Sequence, residues 1–157
     1  MQDTNRDGQT RRTFCMKTAS FAVFGGALGT ILQGCSSPTS PGSVPSLPTV
    51  NGTAAGGAVT LTIDSSSPLS AVGSAALVQT SIGDFLVART AQNSFVALSA
   101  ICTHQACEIT GFGNQNYVCP CHGSTFDVNG RVLGGPAPAP LHEYQSQFTG
   151  GVLTITA

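Results

Sequence analysis

The sequence predicts an all-β fold for residues 58–157. Two observations carry this prediction. Short runs rich in β-branched and apolar residues recur between turn residues, which is typical of strands. No segment after residue 57 shows the apolar period of an amphipathic helix. We therefore expect a base domain of antiparallel strands, with residues from about 101 to 140 forming a subdomain inserted into it.

The predicted base strands follow one another along the chain. The third and fourth are separated by residues 91–93, whose sequence A-Q-N is typical of a hairpin turn. The last follows the glycine pair at 150–151, and we expect it to pair with the run before that turn. The six runs are residues 58–63, 76–80, 85–89, 94–99, 144–148 and 152–155.

Two short blocks within the predicted insertion bring cysteine and histidine together. The first reads C-T-H-Q-A-C over residues 102–107, and the second reads C-P-C-H-G-S over residues 119–124. Each block offers one Cys and one His at close spacing, together with one extra Cys. This pattern suits two loop tips that face each other across a metal centre, with four ligands and two spare thiols.

The paired blocks resemble the Rieske family, and the resemblance extends over roughly residues 58–157. It implies the Rieske fold and a [2Fe-2S] cluster held by four side chains of this sequence. Cys102 and Cys119 would bind one iron, and His104 and His122 would bind the other. The resemblance therefore implies an electron-transfer protein that is not catalytic alone.

Further residues match or depart from the family pattern. The resemblance implies a disulfide between Cys107 and Cys121, and Ser124 matches the serine whose hydroxyl hydrogen-bonds a bridging sulfide of the cluster. Phe126 stands where high-potential members carry a tyrosine that hydrogen-bonds a ligand thiolate, so we expect a lower potential here. Residues 134–138, G-G-P-A-P, resemble the proline loop that covers the cluster.

The mixed ligand set explains the expected redox chemistry. Two ferric ions, two sulfides and two thiolates sum to zero charge when the imidazoles are neutral, whereas four thiolates leave an oxidised cluster at minus two. Adding an electron to the neutral site costs less. Rieske potentials accordingly lie between about −150 and +300 mV, against about −400 mV for plant-type clusters. A ligand imidazole also has a second nitrogen that can carry a proton.

Two other interpretations of these residues remain open. A mononuclear zinc site uses the same residue types, but zinc knuckles favour paired Cys and paired His spacings, and zinc would leave Cys107 and Cys121 without a role. A structural module with two disulfides and incidental histidines also suits a small exported domain. That interpretation leaves the placement of both histidines to coincidence.

Residues 1–35 predict export and attachment to a membrane. The segment 10–17 resembles a twin-arginine signal and precedes an apolar stretch over residues 19–34. The run L-Q-G-C at 32–35 resembles a bacterial lipobox, in which Cys35 would be lipidated. Alternatively, the signal remains as an uncleaved anchor. Either outcome places the domain at the periplasmic or outer face of the cytoplasmic membrane, within the bacterial cell envelope.

Composition predicts a linker and a mildly acidic domain. Residues 36–57 are mostly Ser, Pro, Gly, Thr and Ala without a charged residue, which is typical of a linker. The chain has 6 Lys and Arg against 7 Asp and Glu, yet the first four bases all precede this linker. The acidic balance that follows argues against binding to nucleic acid, and it would suit a partner with a basic docking face.

These features favour the iron-sulfur subunit of a membrane-associated, quinol-oxidising complex of the cytochrome bc type. His104 or His122 would accept the quinol proton, a cytochrome b-like subunit would hold the quinol, and a c-type cytochrome would receive the electron. At the loop tip Gln105 replaces the apolar Leu of cytochrome bc-type members. The alternative is the small subunit of an exported molybdenum oxidase of the arsenite oxidase type, with a molybdenum large subunit as the partner.

Overall fold

The structure is a computed structural model that describes residues 44–157. The predicted export signal, the lipobox with Cys35, and residues 36–43 of the predicted linker lie outside this range. Within it the chain forms twelve β-strands and no helix, which confirms the all-β prediction. Accordingly, the described residues contain no helix that could span a membrane. The strands are β1 (Thr49–Asn51), β2 (Thr53–Ala55), β3 (Ala58–Thr62), β4 (Ala75–Gln79), β5 (Phe85–Ala91), β6 (Ser94–Ser99), β7 (Gly111–Gly113), β8 (Asn116–Val118), β9 (Thr125–Asp127), β10 (Val132–Gly134), β11 (Glu143–Thr149) and β12 (Val152–Thr156).

Eight strands form the base sheet in the order β1-β4-β5-β6-β11-β12-β3-β2. The edge strands β1 and β2 are consecutive in sequence and are joined by Gly52, so the sheet is nearly closed into a barrel. A Cβ atom at Gly52 would lie only 2.7 Å from Val59 Cγ1 and 3.0 Å from Val78 Cγ1. Glycine is therefore required where the chain crosses from one edge of the sheet to the other.

Residues 44–57 belong to the folded domain, which corrects the predicted linker over residues 36–57. β1 pairs in parallel with β4, and β2 pairs antiparallel with β3. Leu47 is buried, and its N–H donates to the carbonyl of Thr110 at 2.7 Å. Backbone pairing does not depend on side-chain polarity, so a segment rich in Ser, Pro and Thr completes the sheet edges once Leu47 anchors it.

The remaining four strands form a small sheet in the order β10-β9-β8-β7. This sheet lies inside the insertion that the sequence predicts for residues 101–140. The insertion leaves the base after β6 and returns at β11, and these two strands are neighbours, with Glu143 opposite Leu98. The inserted subdomain therefore starts and ends at one place on the base sheet. Its three-residue strands are too short to show a period in the sequence.

Two clusters of apolar side chains are buried, one on each face of the central base strands. Phe85 and Val87 belong to the cluster within the base, whereas Leu86 and Ala88 belong to the cluster that includes the inserted subdomain. Both faces of β5 are thus covered, which explains its continuous apolar run. The cluster that contains Leu86 and Ala88 continues into the two cysteine-histidine blocks through Cys102, Ile109, Tyr117, Cys119 and Phe126.

Candidate metal centre

The first block forms a tight loop that is closed at its base by backbone pairing. Ile101 and Glu108 face each other in an antiparallel bridge. The N–H of Cys102 donates to the carbonyl of Cys107 at 2.8 Å, and the N–H of Ala106 donates back to the carbonyl of Cys102 at 3.0 Å. Ala106 has a φ of 54°, a left-handed conformation that is uncommon for a residue with a Cβ.

The second block repeats this backbone arrangement. The N–H of Cys119 donates to the carbonyl of Ser124 at 2.8 Å, and the N–H of Gly123 donates to the carbonyl of Cys119 at 3.1 Å. Gly123 has a φ of 72° and occupies the same position in its loop as Ala106 does in the first. Here the loop is the turn between the paired strands β8 and β9. Each loop therefore begins with a cysteine whose N–H and carbonyl both close the loop.

The two loop-opening cysteines lie together in the interior. Cys102 and Cys119 are 2 % and 1 % exposed, and neither forms a disulfide. Burial raises the pKa of the Cys119 thiol, and the adjacent Cys102 thiol raises it further, whereas the backbone N–H groups of Cys121 and His122 act in the opposite direction. A buried thiol pair becomes a thiolate pair most readily when a metal supplies positive charge.

The two histidines also lie together. The rings of His104 and His122 are 4.7 Å apart between centroids and nearly perpendicular. His122 is exposed, whereas Nδ1 of the half-buried His104 is buried and has no hydrogen-bond partner. The hydroxyl of Ser124, whose side chain is fully buried, also lacks a partner. Buried polar atoms are almost always hydrogen-bonded, so these two point to a group that the two loops hold between them.

Cys107 and Cys121 form a disulfide, as the family resemblance implies. It joins the first loop to the second. The Sγ atoms of Cys107, Cys119 and Cys121 lie within 4.8 Å of one another. Two of these three sulfurs are bonded to each other, so Cys119 alone among them can offer a thiolate. The disulfide therefore lies beside the ligand set and does not belong to it.

The proline segment at 134–138 lies against the second loop. Gly135 has a φ of 86°, and a Cβ there would lie 2.5 Å from the Cα of Ser124. On the other side of the site, the hydroxyl of Thr103 donates to the carbonyl of Ala139 at 2.7 Å. The segment thus packs against the second loop and the residue that follows it, Ala139, is hydrogen-bonded to the first, in agreement with its predicted place beside the cluster.

Tyr117 is a residue of the site region that the sequence analysis missed. It is fully buried, its hydroxyl has no hydrogen-bond partner, and burial raises its pKa. It lies directly opposite Phe126 on β8 and β9 and two residues before Cys119. Side chains two residues apart in an extended chain point to the same side. The spacing of Tyr117 from Cys119 is therefore the signal that could have drawn attention to it.

The donor set fits a two-iron cluster. The two loops carry two adjacent thiols and two adjacent imidazoles, the second loop carries a buried hydroxyl without a partner, and the second cysteine pair is oxidised. Thiolate ligands favour iron-sulfur chemistry, and a Cys₂His₂ set is the combination that distinguishes Rieske centres from four-cysteine clusters. Of the five residues that the sequence predicts to bind the cofactor, the structure places Cys102 beside Cys119 and the ring of His104 beside that of His122, and Ser124 closes the second loop.

Comparison with known proteins agrees with this chemistry. The sequence profile of the Rieske [2Fe-2S] domain matches residues 61–145. The iron-sulfur subunit of the cytochrome b6-f complex from Chlorobaculum thiosulfatiphilum is 36% identical over 64 residues, which cover 40% of this chain and 35% of that subunit. The corresponding subunit from Prochlorococcus marinus (strain MIT 9301) is 41% identical over 73 residues, covering 44% and 41%. This chain thus matches less than half of each curated relative.

Among solved structures, naphthalene 1,2-dioxygenase with indole bound in the active site is similar over 61% of this chain and 25% of that chain. The TM-score is 0.50 and the sequence identity is 20%. At this level of identity the likeness concerns the fold alone.

Proposed function

This chain belongs to the Rieske [2Fe-2S] family, and from that premise we propose that it carries single electrons as the iron-sulfur subunit of a membrane-associated, quinol-oxidising complex. The observation that supports the proposal is the pair of matching loops, which carry two buried, unoxidised thiols and two adjacent imidazoles. Its curated relatives are named as subunits of the cytochrome b6-f complex, which supports the choice of a cytochrome bc-type partner.

The four proposed ligands would hold the two irons in pairs. Cys102 and Cys119 would hold the buried iron, and His104 and His122 would hold the outer one. When bound, the cluster accepts and releases one electron at a potential above that of four-cysteine clusters. The Nδ1 atom of His104 is the buried one, so it would be the ligand atom, and Nε2 of that ring would remain to exchange a proton.

The proton chemistry follows from the exposure of the histidines. His122 is exposed and His104 is half-buried, so a quinol can approach an imidazole nitrogen from solvent. A quinol releases protons as it is oxidised, and a histidine is the side chain best suited to accept one near neutral pH. The ring of His122 therefore would accept the quinol proton, while a cytochrome b-like subunit holds the quinol.

The hydroxyl of Ser124 would donate to a sulfur atom of the centre, which stabilises the more negative reduced state. Phe126 is fully buried and supplies no donor at the position where high-potential members carry tyrosine. A hydrogen bond to a charged group contributes about 1.5 kcal/mol, which for a one-electron couple corresponds to about 60 mV. We therefore expect a midpoint potential below that of members with both donors.

The cellular context is part of the same proposal. The twin-arginine-like segment would export the folded domain with its cofactor, and Cys35 would carry lipid or the signal would remain as an anchor. The electron acceptor would then be a c-type cytochrome outside the cytoplasmic membrane.

An EPR-monitored redox titration of the loaded full chain at several pH values tests the proposal. We expect a signal of low average g with a midpoint that falls as pH rises, because reduction of the centre raises the proton affinity of a ligand imidazole. A midpoint independent of pH would contradict coupled electron and proton transfer. The absence of any such signal from iron-loaded protein would contradict the cluster itself.

One observation favours a second candidate. Gln105 is exposed at the tip of the first loop, where an apolar residue would suit a quinol pocket. A small subunit that relays electrons from a molybdenum large subunit of the arsenite oxidase type needs no such pocket. Reduction of the head by a soluble quinol analogue separates the two candidates. Reduction that becomes faster in a Gln105→Leu variant supports quinol oxidation, whereas no reduction of either form by any quinol supports the relay.

A further inference from the structure

We propose that the hydroxyl of Tyr117 donates a hydrogen bond to a sulfur atom of the centre and so stabilises the reduced state. The inference rests on the proposed electron-transfer function and adds to it a residue that tunes the potential. Tyr117 lies on β8, directly opposite Phe126 on β9. Its hydroxyl therefore offsets part of the donor that is missing at Phe126.

Three buried polar side-chain atoms within residues 44–157 have no hydrogen-bond partner, and all three belong to the inserted subdomain. They are Nδ1 of His104, the hydroxyl of Ser124 and the hydroxyl of Tyr117. The proposed roles of His104 as a ligand and of Ser124 as a donor account for the first two. Buried hydroxyls are almost always hydrogen-bonded, so the third also calls for an acceptor.

Strand pairing places Tyr117 on the face of the small sheet that carries the residues of the second loop. Tyr117 and Phe126 pair on this face. Two residues further along each strand, Cys119 and Ser124 continue it, and the N–H of Cys119 donates to the carbonyl of Ser124 at 2.8 Å. Two residues span about 7 Å along a strand, which is close to the length of a tyrosine side chain. The hydroxyl of Tyr117 is therefore within reach of the centre.

The interior around Tyr117 offers few other acceptors. Tyr117 is fully buried and belongs to the same apolar cluster as Cys102 and Cys119. Besides Tyr117, the buried polar or charged side chains of residues 44–157 are Arg89 and Ser124. Arg89 has no acceptor atom, and it donates to backbone carbonyls of the base domain. Among buried side chains, sulfur is thus the acceptor that remains for Tyr117.

The effect of this hydrogen bond on the potential follows from charge. A sulfur atom of the centre becomes more negative when the centre accepts an electron, and hydrogen bonds to negatively charged acceptors are stronger than those to neutral ones. The hydroxyl of Tyr117 therefore stabilises the reduced state more than the oxidised state, as proposed for Ser124. The consequence is a higher midpoint potential than the same chain has without this hydroxyl.

An EPR-monitored redox titration of the cluster-loaded full chain tests the proposal with the variant Tyr117→Phe. We expect a lower midpoint, so that at a fixed ambient potential the ratio of reduced to oxidised centre falls about tenfold, the size of one hydrogen bond to a charged group. Tyr144→Phe is the matched control, because it removes the other tyrosine hydroxyl of the chain, on β11 of the base, and should leave the midpoint unchanged. Combining Tyr117→Phe with Phe126→Tyr moves the hydroxyl across the strand pair and should restore most of the midpoint.

ENDOR spectra of the reduced centre in H2O and in D2O give a readout that a change in packing would not produce. We expect Tyr117→Phe to lose one exchangeable proton coupling that Tyr144→Phe retains. The same couplings and midpoint in Tyr117→Phe and in the unmodified chain would overturn the proposal and assign the hydroxyl to a buried water. A lower midpoint with all couplings retained would also overturn it, because the substitution would then act through packing.

These measurements separate the role of Tyr117 from the proposed function. A midpoint and a proton coupling that depend on Tyr117, in a chain that no quinol reduces, support the role of Tyr117 and contradict quinol oxidation. Reduction by quinol, with the midpoint and couplings unchanged in Tyr117→Phe, supports the proposed function and overturns the role of Tyr117. An iron-loaded, unmodified chain without a Rieske EPR signal would contradict both.

Discussion

The two cysteine-histidine loops share one backbone frame but are supported differently. In each, the opening cysteine donates to the carbonyl five residues on and accepts from the N–H four residues on. The second loop is the turn between the paired strands β8 and β9, whereas the first is closed by the single bridge between Ile101 and Glu108. The left-handed position is a glycine in the second loop and Ala106 in the first.

The positions of the cysteine and histidine side chains depend on the backbone geometry of the loops and not on an identical order of residues in the two motifs. The histidine is third in the first loop and fourth in the second, yet the two rings lie 4.7 Å apart. The same offset leaves His104 half-buried and His122 exposed. Two equivalent frames thus supply one inner and one outer imidazole, and the outer one is open to solvent.

The largest effect is expected from replacing the cysteine that opens each loop, Cys102 or Cys119. Cys102→Ala and Cys119→Ala should each abolish the cluster, because each removes one of the two buried thiols that we propose as ligands of one iron. Iron content and visible absorption of the purified variants measure this. Cys35→Ala is the control and should retain full iron. Retention of the cluster by either loop variant would show that the two loops do not contribute equally.

The next largest effect is expected from removing the disulfide between the loops. Replacing both Cys107 and Cys121 with Ser removes a disulfide that closes a sequence separation of 14 residues. The chain-entropy account gives a loss of about 3 kcal/mol in the free energy of unfolding. Urea unfolding of the apoprotein measures that loss, and chelator-driven loss of iron should be faster in the loaded variant. An unchanged unfolding midpoint would show that backbone pairing alone holds the loops together.

A smaller change in the free energy of unfolding is expected at the residue with left-handed backbone in each loop, Ala106 or Gly123. Gly123→Ala should lower the free energy of unfolding by about 1 kcal/mol, because a Cβ there meets no atom within 4 Å and the cost is that of the left-handed backbone alone. Ala106→Gly should raise it by less than about 1 kcal/mol, since glycine also gains entropy in the unfolded chain. Urea unfolding of both variants measures these changes. Changes of the same sign would contradict a shared frame.

The smallest effect concerns the strand that supports the second loop. The pKa of buried Tyr117 is raised in the folded state, so above a pH of about 10 the unfolded chain loses this proton first and stability falls as pH rises. Tyr117→Phe should remove most of that slope and leave stability near neutral pH unchanged or slightly higher, because the hydroxyl has no partner. Urea unfolding at several alkaline pH values measures the slope.

Tyr144→Phe is the control for this measurement, since it retains Tyr117 and with it the alkaline slope. An equal slope in the Tyr117→Phe variant and the unmodified chain would show that another group governs alkaline unfolding.

Much of the base sheet could be predicted because each strand has a clear apolar run. The predicted run 85–89 corresponds to β5, Phe85–Ala91, and the run 94–99 corresponds to β6, Ser94–Ser99. The edge strands β1 and β2 were missed. Each has three residues and only one side chain packed against the core, Val50 in β1 and Ala54 in β2, so the backbone pairing that holds them leaves no apolar period in the sequence.

The cofactor site divides in the same way. The resemblance of the two blocks to the Rieske family implied the ligand set and the disulfide between Cys107 and Cys121, and the structure contains that disulfide. The contacts of Tyr117 and Glu108 could not be predicted, since each side chain meets a residue that is distant in sequence. Tyr117 lies opposite Phe126, and Glu108 contacts Asp84 across the entrance to the first loop.

The all-β class, the two cysteine-histidine blocks and the acidic balance of residues 58–157 can all be read from the sequence alone. These follow from residue identity and local spacing. The shared backbone frame of the two blocks, the half-buried position of His104 against the exposed position of His122, and the contact of Glu108 with Asp84 appear only in the tertiary structure. Burial and long-range pairing arise from the packing of the inserted subdomain against the base sheet, and local sequence does not encode that packing.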